Sequence, residues 1–382
     1  MSLMKKYKFA ALAVLALAFA LGFAREHVDH PYSWVMVWGG LAACFFFLAL
    51  QARRKSRQYF SVTLTAAMLA LLAMELKVSY PYFSTHKSIL STRHELSSVP
   101  TGQEVNASDP AAVTSSRHIL KAGDETAYDV LVSVFPGGNR VTPYHPEAET
   151  AVILLGCSFT FGTGLDDRQT FAWLLGEKCG DSCMVYNYGR PGHGAHQMLD
   201  LLESGRLDEI AARHKQMRVI FTTFADHALR SAGYTSREAR APWYELENGQ
   251  VVRKGRFGEQ GSVFDRQVYR FFKRSQLYRS LMMPKADRLQ PYMELYVALI
   301  KKSDQVLRRR YGSSLTVALW PDNDECRRIL DREGLELLDL GPYFPDYRQN
   351  PEKYKILHDG HPNALAAAIT AEAFYERLKN AP

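Results

Sequence analysis

Cysteine is scarce in this sequence, with five residues among 382. A chain of this length with so few cysteines is not built on a disulfide framework. Cys179 and Cys183 are close enough in sequence to form one local bridge in an oxidising compartment, and two unpaired thiols in a loop are the alternative. Cys44 lies in an apolar run, and Cys326 has no neighbouring cysteine. The fold therefore depends on an apolar core.

The sequence beyond residue 58 also has almost no net charge. Residues 1–58 carry eight Lys and Arg against two acidic residues, which accounts for most of the formal net charge of +7. The remaining chain interleaves acidic and basic side chains and has no basic patch of the kind that binds nucleic acid. Nucleic acid is therefore excluded as a partner. The basic N-terminal residues are interpreted as signals of membrane topology.

The sequence also lacks histidines and cysteines spaced as the ligands of a metal ion usually are. Five histidines are candidates to meet at the strand ends predicted below: His193, His196, His227, His358 and His361. No pair of them has the helical spacing or the Cys/His arrangement that zinc favours. We therefore expect no metal and no cofactor.

Three apolar runs open the chain, at about residues 8–24, 34–50 and 59–76. Each is at the short end of what crosses a hydrocarbon core of about 30 Å as a helix. Three lysines stand at the start of the chain, up to the beginning of the first run, and the basic sequence QARRKSRQ joins the second run to the third. In the connection between the first and second runs, Arg25 is the one Lys or Arg residue. Because Lys and Arg collect on the cytoplasmic side, the runs predict three transmembrane helices in an inner (plasma) membrane. The N-terminus is then cytoplasmic and the C-terminal domain extracytoplasmic, or periplasmic in a Gram-negative cell.

Composition divides the chain into three parts. We predict a membrane anchor over residues 1–80, a polar tether over 81–127, and a folded domain over 128–382 with an insertion at 227–290. A cleaved signal peptide over residues 1–24 is an alternative for the first helix, because a basic start, an apolar stretch and a small residue occur in that order. That alternative also leaves the domain outside the membrane.

Short apolar runs bounded by turns alternate with helical patterns in the folded domain. The runs cover residues 150–156, 184–189, 218–224, 314–320 and 335–340. Continuously apolar strands separated by helices are typical of a parallel sheet covered on both faces. The sequence therefore predicts a three-layer α/β/α domain with a five-stranded parallel sheet of flavodoxin-like type. The segment WYELENGQVVRKG predicts a β-hairpin within the insertion.

Candidate catalytic residues lie at both ends of this domain. Ser158 follows the first predicted strand in GCSFTFG, and Asp359 and His361 precede the last helical pattern in HDGHPN. Ligands bind at the carboxyl ends of parallel strands. A serine becomes a nucleophile when a histidine accepts its proton and a carboxylate orients that histidine. The three residues therefore predict a catalytic triad.

These segments resemble the sequence blocks of the SGNH (GDSL-like) hydrolase superfamily over residues 128–378. GCSFTFG is similar to the first block, YNYGRPGHG to the second and DGHPNALA to the last. The resemblance implies that Ser158 is the nucleophile and one oxyanion donor, that Gly192 is the second donor, that His361 is the general base, and that Asp359 orients it.

Two positions depart from the family pattern. Cys157 stands where the first block usually has an aspartate, and Ala225-Asp226-His227 stands where the third block has an asparagine. That asparagine is an oxyanion donor, and the loss of one such donor costs on the order of 100-fold in rate. His227 is the candidate replacement.

The resemblance and the predicted location together imply a function. They imply a serine esterase that removes acyl groups, acetyl in particular, from an envelope glycan or glycolipid through an acyl-enzyme on Ser158. An O-acyltransferase that uses the same triad is one alternative. A domain that binds glycan or scaffolds an assembly without catalysis is another, motivated by the absent asparagine. The expected partners are the acylated substrate and the membrane, and the sequence indicates no oligomeric state.

Overall fold

The fold is described from a computed structural model of the chain. The structure describes residues 33–51, 55–85, 92–99, 113–233, 240–259 and 290–380. The first predicted membrane helix, at 8–24, and most of the second half of the predicted insertion lie outside the described residues. The described residues fall into two compact units, one before and one after residue 90.

Two long helices form the first unit. Helix α1 (Ser33–Gln51) and helix α2 (Lys55–Thr85) coincide with the second and third predicted membrane helices, and they pack against each other. Within the described part of the chain, the segment Gln58–Lys77 is long and apolar enough to cross a membrane, whereas the apolar part of α1, Val37–Ala49, is shorter. Three transmembrane helices are therefore not confirmed and stay a prediction.

A three-stranded antiparallel sheet opens the second unit. Its strands are β1 (Thr92–Val99), β2 (Thr114–Ala122) and β3 (Glu125–Val134), in the order β1-β2-β3. Strands β1 and β2 lie within residues 81–127, the segment predicted as a polar tether. The sequence hides them because β2 carries polar side chains even at buried positions such as Ser115.

The second unit is built around a five-stranded parallel sheet, which confirms the prediction. In chain order its elements are β4 (Thr150–Leu155), α3 (Ser158–Phe161), α4 (Phe171–Cys179), β5 (Cys183–Asn187), α5 (Ala195–Glu203), α6 (Asp208–Arg213), β6 (Gln216–Thr223), α7 (Asp226–Ser231), β7 (Pro242–Glu247), β8 (Gln250–Arg256), α8 (Gln290–Tyr311), β9 (Leu315–Leu319), α9 (Asp324–Arg332), β10 (Glu336–Asp339) and α10 (Ala364–Lys379). The strand order is β10-β9-β6-β4-β5, and all neighbouring strands are parallel.

Helices cover both faces of this sheet. Successive side chains of a strand point to opposite faces, so Ile153 of β4 packs in a cluster with residues of α5 and α8, whereas Leu154 packs in a cluster with residues of α4 and α10. Both side chains are fully buried. Alternation of this kind explains why the strand is apolar at every position after Thr150, and it confirms the three layers.

The order of the strands creates a crevice beside β4. Strand β5 lies on one side of β4, and the three later strands lie on the other side. In open α/β sheets, ligands bind at such a point, outside the carboxyl ends of the strands. The residues that directly follow β4 and β6 therefore lie where a binding site is expected.

Strands β7 and β8 form the hairpin predicted within the insertion. Asn248 and Gly249 connect them, with φ angles of 52° and 76°. A two-residue type I′ turn requires positive φ at both positions, and Asn-Gly is the preferred sequence for it. The hairpin is therefore specified locally by the sequence.

Cys179 and Cys183 form a disulfide, with their Cα atoms 5.5 Å apart. The bridge joins the end of α4 to the start of β5. Of the two alternatives that the sequence leaves open, the structure has the bridge.

Candidate active site

Ser158 lies at the carboxyl end of β4, as the first residue of the four-residue helix α3. The side chain is partly buried, and Cys157 precedes it in an extended conformation as the N-cap of the helix. Among the described residues the backbone N–H of Ser158 has no hydrogen-bond acceptor. An N–H group at the start of a helix is a suitable donor to an anionic oxygen.

The loop after β5 packs closely against this turn. The Asn187 side chain donates a hydrogen bond to the Thr160 carbonyl oxygen at 2.9 Å and accepts one from the N–H of Gly189 at 3.0 Å. A Cβ atom at Gly189 would lie 2.3 Å from the backbone nitrogen of Phe161. Glycine at 189 is therefore required by the close approach of two backbones. Asn187, which sequence reasoning did not single out, joins the loop to residues 157–162, the turn that carries the predicted nucleophile and is called the nucleophile turn below.

Gly192 lies in a turn of the same loop. The N–H of His193 donates to the carbonyl oxygen of Arg190 at 3.1 Å, and Gly192 has a φ of 86°. Proline at 191 followed by a glycine with positive φ is typical of a type II turn. The N–H of Gly192 has no acceptor among the residues that the structure describes, while the N–H of Arg190 donates to Gly156, two residues before Ser158. The loop therefore runs beside the nucleophile turn.

Asp359 and His361 are hydrogen-bonded to each other. The His361 Nδ1 and Asp359 Oδ2 atoms lie 2.6 Å apart, and the side chains are 24% and 12% exposed. Donation from Nδ1–H to the carboxylate fixes the imidazole tautomer and leaves Nε2 as the basic nitrogen. The sequence prediction that these two residues act as a pair agrees with this geometry.

A tight loop holds the pair in place. The N–H of Ile356 donates to the His361 carbonyl oxygen at 2.8 Å, and Asp359 N–H donates back to the Ile356 carbonyl oxygen at 3.2 Å. His358, which has a φ of 65°, is bonded through Nε2 to the Glu125 carboxylate of β3 at 2.9 Å. The antiparallel sheet, which the sequence did not predict as a whole, therefore supports the loop that carries the histidine.

Phe159 brings the nucleophile turn and the histidine loop together. Its ring stacks on Phe224 at a centroid distance of 4.9 Å, and it meets Trp320 and His361 edge-on at 5.1 and 5.8 Å. Phe224 directly follows β6, Trp320 directly follows β9, and His361 lies in the loop before α10. The residue next to Ser158 thus contacts the His361 ring. No direct hydrogen bond joins the Ser158 hydroxyl to His361 in this conformation, and catalytic hydrogen bonds in unliganded enzymes often shorten only in the complex.

The five histidines named from the sequence do not form one cluster. His358 is bonded to Glu125 and His361 to Asp359, whereas His227 lies in the buried first turn of α7 with Nδ1 2.8 Å from the Thr223 hydroxyl. Within the described ranges, no three His, Cys, Asp or Glu side chains are placed so that they could hold a metal ion.

His227 has no solvent-accessible surface in this conformation. Its ring lies between the rings of Phe221 and Phe224, at centroid distances of 5.6 and 4.6 Å. Nε2 has no hydrogen-bond partner among the described residues. A substrate oxygen would reach this nitrogen only after those side chains moved, so the role of His227 as an oxyanion donor stays a prediction.

Burial gives His227 a measurable effect on stability. Loss of solvation, and after it the charge of Arg230, keep the pKa of His227 well below its usual value. A histidine with a depressed folded-state pKa stabilises the fold above its unfolded pKa of about 6.5, and this contribution is lost as the pH falls below it. As the pH falls from 7 to 5, we expect the free energy of unfolding of the wild type to decrease more steeply than that of His227→Gln, by up to about 1.4 kcal/mol per pH unit. Urea unfolding at several pH values measures both free energies. If they fall equally with pH, the depressed pKa of His227 is contradicted.

Arg140 is a buried arginine beneath the nucleophile turn, and sequence reasoning did not single it out. Its side chain is 0% exposed and is paired with Asp167 at 3.0 Å. The guanidinium also donates to the carbonyl oxygens of Phe161 and Gly162, where α3 ends. The last carbonyls of a helix have no partners within the helix. Arg140 therefore fixes the turn that presents Ser158.

Comparisons with known proteins give similarity at the level of structure. No protein-family model and no curated protein matches the sequence. Similar solved structures include a lipolytic protein of the G-D-S-L family from Veillonella parvula (10% identity, 61% of this chain and 100% of that chain, TM-score 0.37), a carbohydrate acetylesterase from Sinorhizobium meliloti (10% identity, 60% and 98%, TM-score 0.33) and a psychrotrophic esterase from Pseudoalteromonas sp. (14% identity, 60% and 96%, TM-score 0.31). The first is named as a lipolytic protein and the other two as esterases. The reaction proposed for this chain rests on its own side chains.

Proposed function

We propose that this protein is a membrane-anchored serine ester hydrolase of the SGNH type, with Ser158 as nucleophile, His361 as general base and Asp359 as the residue that orients the base. The proposal is carried by the hydrogen-bonded Asp359–His361 pair, which reaches the nucleophile turn through the contact between His361 and Phe159. The backbone N–H groups at 158 and 192 have no acceptor among the described residues, and they support an oxyanion site beside it.

In the first half of the reaction, the Ser158 hydroxyl oxygen attacks the ester carbonyl carbon while His361 Nε2 accepts the hydroxyl proton. The carbonyl oxygen becomes negative and is stabilised by the N–H groups of Ser158 and Gly192. Asp359 stabilises the imidazolium that forms. The bond to the alcohol then breaks, the alcohol leaves with the proton from His361, and the acyl group stays on Ser158 as an ester.

In the second half, water replaces the alcohol. His361 accepts a proton from the water as its oxygen attacks the acyl carbon, and the same N–H groups stabilise the second oxyanion. Breakdown releases the free acid and returns the proton to Ser158. A sugar hydroxyl in the place of this water would give an acyl transfer, so the second acceptor decides between hydrolase and transferase.

The proposed substrate is an O-acylated glycan or glycolipid of the cell envelope, with acetyl as the acyl group. The support is the predicted location of the domain, together with the sequence resemblance. A domain tethered to the outer face of a membrane encounters envelope polymers at high local concentration.

A panel of esters tests the reaction class. The full chain in detergent is given O-acetylated glycans and short- and long-chain p-nitrophenyl esters, and released acid is measured. We expect acetate release that is blocked by a fluorophosphonate bound to Ser158. Acetyl transfer to a glycan acceptor faster than hydrolysis would replace the esterase by an O-acyltransferase, and an unlabelled Ser158 in folded protein would favour a binding domain without catalysis.

The helices α1 and α2 support the membrane part of the proposal. Among the described residues, most of the large hydrophobic side chains that are exposed belong to these helices, namely Phe46, Leu48, Tyr59, Phe60, Val62, Leu69, Met74 and Leu76. Such a surface is compatible with lipid and costly in water. The Cys179–Cys183 disulfide supports an extracytoplasmic domain, because disulfides persist in oxidising compartments.

Reporter fusions test the orientation. A reporter active only outside the cytoplasm, such as a disulfide-dependent phosphatase, is expected to be active after residue 90 and inactive after residue 56, because the basic connection stays on the cytoplasmic side. A reporter active only in the cytoplasm provides the matched control and should give the inverse pattern. Activity of the outside reporter at 56 together with inactivity at 90 would reverse the topology.

A further inference from the structure

Arg230 occupies a position beside the proposed oxyanion site. It lies in the last turn of α7, three residues after His227, which ends the segment where the resembled family has its asparagine donor. Its Nε donates to Asp226 Oδ2 at 2.8 Å, and its Nη1 donates to the carbonyl oxygen of His193 at 3.1 Å. The side chain is 14% exposed. A guanidinium has five N–H donors, so these two bonds leave others for a ligand.

The same guanidinium reaches the nucleophile turn. Cys157, directly before Ser158, is buried, and burial raises the pKa of its thiol; the charge of Arg230 and hydrogen bonds from Arg230 and Ser158 act in the opposite direction. The guanidinium carbon also lies 5.4 Å from the centre of the Phe224 ring, on which Phe159 stacks. Arg230 is therefore hydrogen-bonded to the residue after Gly192 and lies against the ring on which Phe159, the residue after Ser158, stacks.

We propose that the Arg230 guanidinium is the third oxyanion donor of this site, in the place of the missing asparagine amide. The proposal rests on the proposed function. The two backbone donors are the N–H groups of Ser158 and Gly192. Arg230 is bonded to the loop of Gly192, and it reaches the turn of Ser158 through Phe224 and Phe159. The Asp226 carboxylate and the His193 carbonyl oxygen hold the guanidinium in one orientation before substrate arrives, as electrostatic stabilisation requires.

The proposal also accounts for the residue at 157. An aspartate there, as in the resembled family, would pair with Arg230 and take up N–H groups that the oxyanion needs. A neutral thiol at 157 leaves the charge of the guanidinium in place. Cysteine at 157 and the absence of asparagine after β6 are then two parts of one arrangement.

Kinetics of the detergent-solubilised full chain with p-nitrophenyl acetate test the proposal. Arg230→Met is expected to lower kcat by about 100- to 1,000-fold, with KM changed by less than about 3-fold, because the donor acts on the transition state. Guanidinium chloride at a low, non-denaturing concentration is expected to restore kcat of Arg230→Ala by at least about 10-fold, and to leave Ser158→Ala inactive. The matched control is Arg308→Met, since Arg308 forms the same i,i+4 pair with an aspartate, Asp304, on an exposed helix face.

The outcomes separate the two proposals. A folded Arg230→Met protein with wild-type kcat overturns the assignment of Arg230 as a donor. A loss of kcat in Arg230→Ala that guanidinium chloride does not restore also overturns it. If Arg230→Met does not fold, Arg230→Lys decides, because it keeps the charge and loses the planar fork; wild-type kcat in this variant overturns the assignment of the guanidinium. A wild-type protein that hydrolyses no ester and is not labelled at Ser158 removes the proposed function itself, and the role of Arg230 with it.

Discussion

Replacement of Ser158 by alanine is expected to lower kcat for ester hydrolysis by about 10⁴- to 10⁶-fold, the range seen when the nucleophile of a serine hydrolase is removed. His361→Ala should have an effect of the same order, because without the imidazole no group accepts the hydroxyl proton. Asp359→Asn should cost about 10⁴-fold, because the imidazole then loses its fixed tautomer. Acid release from the best ester of the panel, measured at saturating substrate, gives these values.

The double variant Ser158→Ala/His361→Ala distinguishes a catalytic unit from two independent residues. We expect its kcat to equal that of the single variants, because the members of a triad act together and their effects do not multiply. The matched control is His145→Ala, since His145 Nδ1 is also paired with an aspartate, Asp181, at 2.9 Å, in an exposed loop. Wild-type kcat in His361→Ala, or a loss in His145→Ala as large as that in His361→Ala, would end the triad assignment.

Replacement of Arg140 by methionine is expected to destabilise the fold by about 3–5 kcal/mol. The variant removes one member of a buried ion pair and leaves the Asp167 carboxylate uncompensated. It also removes the donors to the Phe161 and Gly162 carbonyl oxygens at the end of α3. Urea unfolding of the detergent-solubilised chain, followed by tryptophan fluorescence, measures the change.

Two further variants show whether the burial of the Arg140–Asp167 ion pair causes the loss of stability. Arg140→Met/Asp167→Asn should be more stable than Arg140→Met, because the unpaired charge is then absent. Arg117→Met breaks an exposed pair with Asp129 on β2 and β3 and is expected to change stability little, since water solvates both partners once the pair is broken. Equal losses from Arg117→Met and Arg140→Met would contradict the proposed role of Arg140.

The parallel sheet was predictable because its cause is local in the sequence. β4 is apolar at every position after Thr150 since both of its faces are covered. Each of the five predicted strands has its ends within two residues of the observed ones. Asp359 and His361 were predictable for a related reason: they are two residues apart, and one loop places both. Gly189 and Asn187 lay in a recognised block, but their contact with α3 depends on the packing of two loops.

The antiparallel sheet as a whole and the contacts of Arg140 and Arg230 were not predictable in this way. β2 carries Ser115, Arg117 and His118, and its partners on β3 decide that it is a strand. Arg140 and Arg230 look like solvent-exposed charges in the sequence. Arg140 contacts Asp167, which is 27 residues away in the sequence, and Arg230 contacts His193, which is 37 residues away. No rule of sequence spacing connects residues so far apart. The i,i+4 spacing of Asp226 and Arg230 was the one local signal, and it indicates a helix pair as readily as a site.

The separation of Ser158 from Asp359 and His361 along the chain has a consequence for biosynthesis. During translation the segment with Ser158 leaves the ribosome long before the loop that carries the base, and the intervening strands β5, β6, β9 and β10 must be added in between. In the proposed triad, the serine has no proton acceptor until that loop docks beside Phe159. The proposed activity would therefore begin only with the closing step of folding, and the nascent chain before that step would be inert.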